Sequence, residues 1–384
     1  MTSSSKKRIG ITGQNGFIGV HLTNTFGLYA DKYELVSFEK EYFNSVSKLN
    51  GFVKNCDIII HLAGKNRHND PNVIYDTNMA LVNTLIKAME ATNSKPHVIF
   101  ASSTQEIKDN PYGRSKKEGR LLFESWAIKN DACFTGMIIP NVFGPFGHPY
   151  YNSFIATFCY KLTHNETPQI EIDAEIGLIY INELTSEIIK CIEGKTESLK
   201  LMDKINFIPV KATSNYKVSR ILDQLIQFKK NYFEKGIIPD LTNNFSKNLF
   251  LTFITYIDHQ TFFPFKLKKN VDPRGAFVEV VKLGSGGQVS FSTTVPNITR
   301  GNHYHTRKAE RFAVIKGKAL IELRRINTDK VLSFELDGNE PSFVDMPIWF
   351  THNIKNIGNE ELYTIFWINE EYDPNDPDTY FVTV

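Results

Sequence analysis

The chain has 384 residues, more than one hydrophobic core usually organises, so two domains are expected. With 41% hydrophobic and 22% charged residues it is a globular chain, not a disordered one. A formal net charge of +2 without a long basic block argues against a nucleic-acid partner, and Lys266, Lys268 and Lys269 read as a solvated face.

From the N-terminus, a polar tail runs straight into a strand at Arg8–Thr12, with no apolar export segment. A helix is expected over Phe17–Phe26 and a strand over Glu34–Phe38. Asp57–Leu62 has isoleucine at three successive positions, as in a strand buried on both faces. A helix over Val73–Ala91, a strand over His97–Ala101, a helix over Tyr112–Lys129 and a strand over Cys133–Ile139 follow. This alternation implies βαβ units and a parallel sheet covered by helices. Cys56, Cys133, Cys159 and Cys191 form no CxxC pair and suit free thiols in a reducing compartment. Leu249–Ile257 is the most apolar stretch, about half the length of a membrane span, and reads as a buried or interdomain helix. Residues 240–265 are expected to hold the first domain's last helix and the junction. The texture then changes to short Val-, Phe-, Ile- and Thr-rich runs separated by turn signals: Phe277–Lys282, Gln288–Thr294, Arg311–Ile315, Ala319–Arg325, Ser342–Val344 and Leu362–Ile368. An all-β sandwich or barrel is expected there, with domains at 1–258 and 259–384. The whole is expected to be cytoplasmic, with no membrane partner.

GITGQNGFIG places Gly13, Gly16 and Gly19 between a strand and a helix. Such glycines permit a tight turn, close approach of a pyrophosphate and close helix packing, and the helix N-terminus offers N–H donors. Phe17 and Ile18 open that helix, and Leu62 and Ala63, in HLAG, would line the same cofactor. At the end of the second strand, Glu39 would bond a ribose 2′-hydroxyl, whereas Lys40 would pair with a 2′-phosphate; both choices stand. Tyr112 and Lys116 are spaced i, i+4 and share a helix face. A lysine beside a phenol lowers its pKa, which suits Tyr112 as general acid toward a ketone. Ser103, with Ser102 and Thr104 as alternatives, would bond the carbonyl oxygen. Asn141, in PNVFGP, would lie beside nicotinamide or substrate.

These motifs, in this order, make residues 8–195 resemble an extended short-chain dehydrogenase/reductase acting on sugar nucleotides. The resemblance implies a Rossmann fold and a UDP- or dTDP-hexose substrate. In the second half, His303 and His305 point to one face of a strand. With Glu310 and His352 they make a donor set for one divalent ion, most plausibly zinc. This half resembles a cupin jelly-roll barrel, with Asn297 and Trp349 where cupins commonly carry glycine. DPRGAFVE and RGNHYH are similar to signatures of nucleotide-sugar 3- or 3,5-epimerases on that fold. That likeness implies Arg274 as a diphosphate ligand. It makes the position of His303 a proton-abstracting base, a role that a metal would displace toward Tyr304, Lys308 or Tyr372.

Over nearly its whole length, including YNSFIATFCYK and EEYDPNDPDTYFV, the chain resembles bifunctional capsular-polysaccharide enzymes of the CapF/WbjC type. The resemblance implies C3 epimerisation of a UDP-linked 4-keto hexose in the cupin and NADPH reduction at C4 in the first domain, with NADH as an alternative. The product would be UDP-2-acetamido-2,6-dideoxy-L-talose, on the route to UDP-N-acetyl-L-fucosamine, made by a homodimer. A second reading keeps only the reductase, with the cupin holding a dimer together.

Overall fold

The computed structural model describes residues 6–195, 204–272, 275–278, 280–283, 287–370 and 373–384. Arg274 and Tyr372 therefore lie outside the described residues.

The first half forms β1 (Lys7–Thr12), α1 (Phe17–Gly27), β2 (Tyr33–Val36), α2 (Val46–Asn55), β3 (Ile58–His61), α3 (Pro71–Thr92), β4 (His97–Ser103), α4 (Pro111–Asn130) and β5 (Phe134–Ile139). These strands and Ile205–Pro209 make one parallel sheet in the order β2-β1-β3-β4-β5, then Ile205–Pro209. The strand order reverses at β1 and β3, and in such sheets ligands bind beyond the carboxyl ends at that point. Residues 13–19 and 62–64 both lie there.

Local sequence sets the helix ends. Asp70 accepts from the Asn72 amide and Asn110 from the Gly113 amide, with Pro71 and Pro111 at the first helical positions. Asn93 and Asp131 close the two helices in the left-handed conformation. α3 buries Ile74, Val82, Leu85 and Met89 in one stripe, and Phe52, Ile59, Phe100, Phe123 and Phe134 complete the core. Each such side chain contributes roughly 1.5–3 kcal/mol. The second strand stops at Val36, short of the expected Phe38. The Phe38 ring turns into the core against Phe52, and its carbonyl accepts from the Gln14 amide nitrogen.

The second half is β-rich. One antiparallel sheet has the order Phe265–Lys266, Ser342–Met346, Glu310–Lys316, Leu362–Ile368, Gln288–Thr294. The other has the order Val331–Asp337, Lys318–Arg325, Phe350–Asn356, Thr299–Tyr304, Tyr380–Phe381. Ala313, Val314, Ile321, Leu323, Val344, Ile354 and Leu362 form the core. The fold is the expected Rossmann domain followed by an all-β cupin barrel. The strand expected over Phe277–Lys282 is not continuous. Gly275–Val278 pairs with Lys269–Asp272, whereas Lys282–Leu283 pairs in parallel with Ile237–Ile238.

The compact units do not follow a single cut in the chain. The first comprises Met1–Phe143, Gly147–Phe154 and Ala174–Lys217, and the second Gly144–Phe146, Ile155–Asp173 and Val218–Val384. Helix Asn244–Ile254, expected to end the first domain, thus belongs to the β-rich unit. Side chains explain why. Arg311, 1% exposed, pairs with Asp345 at 2.8 and 3.0 Å and donates to the Gly236 carbonyl at 2.7 Å, while the Tyr232 hydroxyl donates to Asp345. Phe250 packs edge-on against Tyr232 and Phe228.

Asn297 and Trp349, standing where cupins commonly have glycine, hold φ of 64° and 61°. The left-handed turn is kept without glycine. It costs asparagine little, and other L-residues roughly 1–2 kcal/mol. The Trp349 ring is buried and stacks on Tyr304 at 5.6 Å. Asn297→Gly is expected to change stability by less than about 0.5 kcal/mol. Trp349→Gly is expected to cost about 3 kcal/mol, because lost burial exceeds relieved strain. Urea unfolding followed by circular dichroism measures both, and equal effects would refute this ranking.

Candidate active sites

The glycine loop meets the HLAG turn. Gly13 has φ of 81°, and a Cβ there would stand 2.8 Å from the Ala63 amide nitrogen. A Cβ on Gly19 would reach 2.3 Å from the Gly13 carbonyl, so α1 packs onto the loop only with glycine at that position. The Leu62 amide donates to the Thr12 carbonyl at 3.0 Å, and the Gly16 amide to the Gly13 carbonyl at 2.9 Å. Gly13, Gly16, Gly19, Leu62 and Ala63 are therefore gathered at the switch point, with half-buried Phe17 and Ile18 opening α1. Lys40 and Glu39 are exposed, at a helical turn over Lys40–Asn44. Asn141 is exposed on the short strand Asn141–Phe143, 3.5 Å from the Gly177 carbonyl through its side-chain nitrogen.

Ser103 ends β4, and α4 carries Tyr112 and Lys116. Half-buried Tyr112 has the Ser103 hydroxyl close enough to pull its pKa down in part. The Lys116 ammonium, on a residue 8% exposed, donates to the Ala101 carbonyl at 2.9 Å. It stands 5.1 Å from the Phe100 ring centre and 5.8 Å from that of Tyr112. Burial pushes this lysine down to about 8. The expected lowering of the Tyr112 pKa does not occur. Burial pushes the phenol up, and the Ser103 hydrogen bond offsets only part of that. A phenol that keeps its proton suits delivery of that proton to a substrate oxygen.

Two residues not singled out in the sequence hold this group. Asn78 donates to Ser115 at 2.9 Å and to the Lys65 carbonyl at 2.9 Å, and accepts from the Lys65 amide at 2.6 Å. It ties the turn after HLAG to α4, one residue from Lys116. A polar residue inside the apolar stripe Ile74, Val82, Leu85 and Met89 is the signal that reveals it. Glu106 forms a two-pronged pair with Arg120 and accepts from Ser102. Ser102 is thus engaged below the site, and Ser103 is the hydroxyl at Tyr112.

In the second unit, His303 on Thr299–Tyr304 lies opposite His352 on Phe350–Asn356. Glu310 opens the strand Glu310–Lys316, and His305 follows the first strand by one residue. One ligand atom from each of His303, His305, Glu310 and His352 lies within 4.8 Å of the other three. Glu310 Oε2 is 3.3 Å from His305 Nε2 and 3.0 Å from His352 Nε2. All three buried atoms lack a hydrogen-bond partner. Unpartnered buried polar atoms are costly, and converging lone pairs are what a cation relieves. Burial, then the imidazoles of His352 and His305, push His303 down to about 4, so its lone pair is free near neutral pH. Burial opposes the Glu310 charge, but the imidazoles of His305 and His352 hold its carboxyl below the ordinary range. The donor set fits a divalent ion.

The other expected substrate residues are placed differently. Tyr304 is stacked between Trp349 and Tyr380, and burial pushes its phenol up to about 12. Lys308, 1% exposed, donates to the Pro377 carbonyl at 2.8 Å. Among the described residues no helix is long and apolar enough to cross a membrane.

Residues 9–193 match the NAD dependent epimerase/dehydratase family, and residues 270–380 the polysaccharide biosynthesis C-terminal domain. The chain is 31% identical over 381 residues to the UDP-2-acetamido-2,6-beta-L-arabino-hexul-4-ose reductase of Pseudomonas aeruginosa, covering 97% of this chain and 98% of that protein. The crystal structure of the capsular polysaccharide assembling protein CapF from Staphylococcus aureus has 34% sequence identity and a TM-score of 0.62, with coverage of 98% and 100%. The UDP-glucose 4-epimerase of Thermotoga maritima, with UDP-glucose, covers 65% of this chain and 98% of its own at 16% identity and a TM-score of 0.52, a likeness of fold alone. With these relatives spanning both units, the chain belongs to the CapF-type family of capsular-polysaccharide enzymes, as a nicotinamide-dependent oxidoreductase.

Proposed function

We propose that this is a bifunctional nucleotide-sugar enzyme. Its cupin unit inverts C3 of a UDP-2-acetamido-2,6-dideoxy-4-keto-hexose, and its Rossmann unit then reduces the C4 ketone. The product is UDP-2-acetamido-2,6-dideoxy-L-talose, for capsular polysaccharide and UDP-N-acetyl-L-fucosamine synthesis. The observation that carries the reading is the gathering of half-buried Ser103 and Tyr112 with buried Lys116 at the end of β4, in a chain that also brings together four potential metal-ligand side chains. The relative from P. aeruginosa is named for a 4-ketone, and one 4-ketone serves both chemistries. It acidifies the C3 hydrogen and it accepts hydride.

In the first unit, NADPH when bound supplies the hydride. Ser103 donates to the ketone oxygen, Tyr112 delivers its proton to the oxygen as charge develops, and Lys116 keeps positive charge beneath both. Gly13, Gly16, Gly19, Phe17 and Ile18 would hold the pyrophosphate, Leu62 and Ala63 would line the cofactor, and Asn141 would serve the nicotinamide or substrate. Lys40 would pair with a 2′-phosphate.

In the second unit, His303, His305, Glu310 and His352 would hold one zinc ion, which when bound would supply positive charge to stabilise an enolate. Arg274 binds the diphosphate, where a guanidinium fork suits two oxygens. With His303 engaged as a ligand and Tyr304 and Lys308 engaged by their neighbours, Tyr372 is the preferred proton-moving residue. A homodimer is supported by the edge strand Gln288–Thr294, which exposes Val289 and Phe291. The four free thiols suit a cytoplasmic enzyme.

Tyr112→Phe is expected to slow cofactor oxidation about 10²- to 10⁴-fold while deuterium still enters C3 from deuterated water. His352→Ala is expected to do the reverse, halting C3 exchange while a substrate already inverted at C3 is still reduced. NMR of the products reads both, and joint loss in either variant would sink the two-site reading. As pH rises through about 8, Lys116 loses its charge while Tyr112 keeps its proton. The reductase kcat/KM should therefore fall along a limb centred near pH 8, and a flat profile to pH 9.5 would count against it. Lys40→Glu should raise KM for NADPH at least about tenfold and leave that for NADH near its starting value.

A further inference from the structure

The C-terminal motif DPNDPDTYFV, residues 373–382, has no role in the chemistry above, yet it clasps the metal-ligand loop. His305 and Glu310 are joined by residues 306–309. The His305 ring donates from Nδ1 to the Asp378 carbonyl, which turns Nε2 toward Glu310. The Asp378 carboxylate accepts from the Thr306 amide at 3.2 Å, the Thr306 hydroxyl at 2.7 Å and the Arg307 amide at 2.9 Å. Arg307 pairs with Asp376 at 2.7 Å, and Lys308 donates to Pro377. From the other side, Asn369 accepts from the Ala309 amide at 2.7 Å. Asp378 is 3% exposed and holds a left-handed φ of 43°, a conformation that aspartate and asparagine tolerate better than most residues.

We infer that Asp378 is a positioning residue for the metal centre: its carbonyl fixes the ring of His305, and its carboxylate fixes the loop that carries the ligands to Glu310. The inference rests on the proposed metal site. Metal-bound histidines depend on the acceptor at their second nitrogen, and loss of such an outer partner costs about 10–100-fold in metal affinity. Here that acceptor comes from far along the chain: His305 and Asp378 are 73 positions apart.

The test uses the full chain, freed of metal and titrated with Zn²⁺ against a chromophoric chelator, then with Co²⁺. Wild type should bind one ion per chain. Asp378→Ala keeps the main-chain carbonyl but frees Thr306 and Arg307 from the carboxylate, so it should bind Zn²⁺ about tenfold more weakly, at the low end of the outer-partner range, and show altered Co²⁺ visible bands, which a merely structural change elsewhere would leave alone. Asp378→Asn, which tolerates the same φ and keeps one acceptor oxygen, should recover part of the affinity and carries the test if the alanine variant does not fold. Thr379→Ala, at an exposed hydroxyl bonded only to Pro377, is the control expected to match wild type. Wild-type affinity and bands in both Asp378 variants would overturn the inference. Absence of binding by wild type would instead overturn the metal site itself.

Discussion

The Lys116 ammonium has one carbonyl at 2.9 Å and two aromatic rings around it, and the chemistry of the first unit depends on keeping that charge out of water without extinguishing it. Burial weakens its hold on a proton, and the Glu106 charge restores part of that hold. The same burial raises the Tyr112 phenol, so the pair settles as a charged lysine beside a neutral tyrosine. That is the state reduction requires. Oxidation would require the phenolate, and the environment disfavours it. The scaffold around the pair is correspondingly tight: Gly113, one residue past Tyr112, would place a Cβ 2.3 Å from the Gln105 carbonyl, so α4 can pack on the turn that carries Glu106 only with glycine there.

The second unit meets the opposite requirement. Its candidate metal site would need lone pairs left unprotonated and unshared. Nε2 of His305 and His352 and Oε2 of Glu310 are buried without hydrogen bonds, while Nδ1 of each of these histidines faces a backbone carbonyl, Asp378 or Phe350. Main-chain acceptors on one side of the ring leave the other side available. His61 in the first unit has the same one-sided bonding, so what sets the second unit apart is the convergence of three imidazoles and a carboxylate within 4.8 Å of one another.

Much of this was legible from residue order. Strand–glycine loop–helix, YxxxK and HxH with a downstream Glu and His are local patterns whose geometry follows from strand and helix periods. What escaped was long-range or depended on burial. The direction of the Tyr112 shift depends on how much water the fold removes, which the spacing to Lys116 does not encode. Asn78 was visible in principle as a polar break in an apolar stripe. Helix Asn244–Ile254 is buried, as its apolar sequence implies, but its grouping with the barrel is not legible locally, since the Arg311–Asp345–Tyr232 network that draws this region to the barrel joins residues up to 113 apart. The strand ending at Val36 fell short because Phe38 gains more by packing on Phe52 than by continuing an edge strand.

Asn297 and Trp349 carry the same lesson further. Both stand where glycine would be the simplest solution, and both adopt the backbone that glycine would adopt. At Asn297 the side chain itself tolerates the turn. At Trp349 the ring compensates, stacking on Tyr304, which is stacked in turn on Tyr380 at 5.4 Å. The Trp349 amide meanwhile donates to the His305 carbonyl at 2.8 Å. A strained residue is kept only where its surroundings over-determine it. Here those surroundings are the carbonyl of His305, a histidine of the candidate metal site, on one side and the strand Tyr380–Phe381 on the other. The turn before His352 is thus fastened to the same segment that His305 Nδ1 meets, so two histidines of the candidate site share one support.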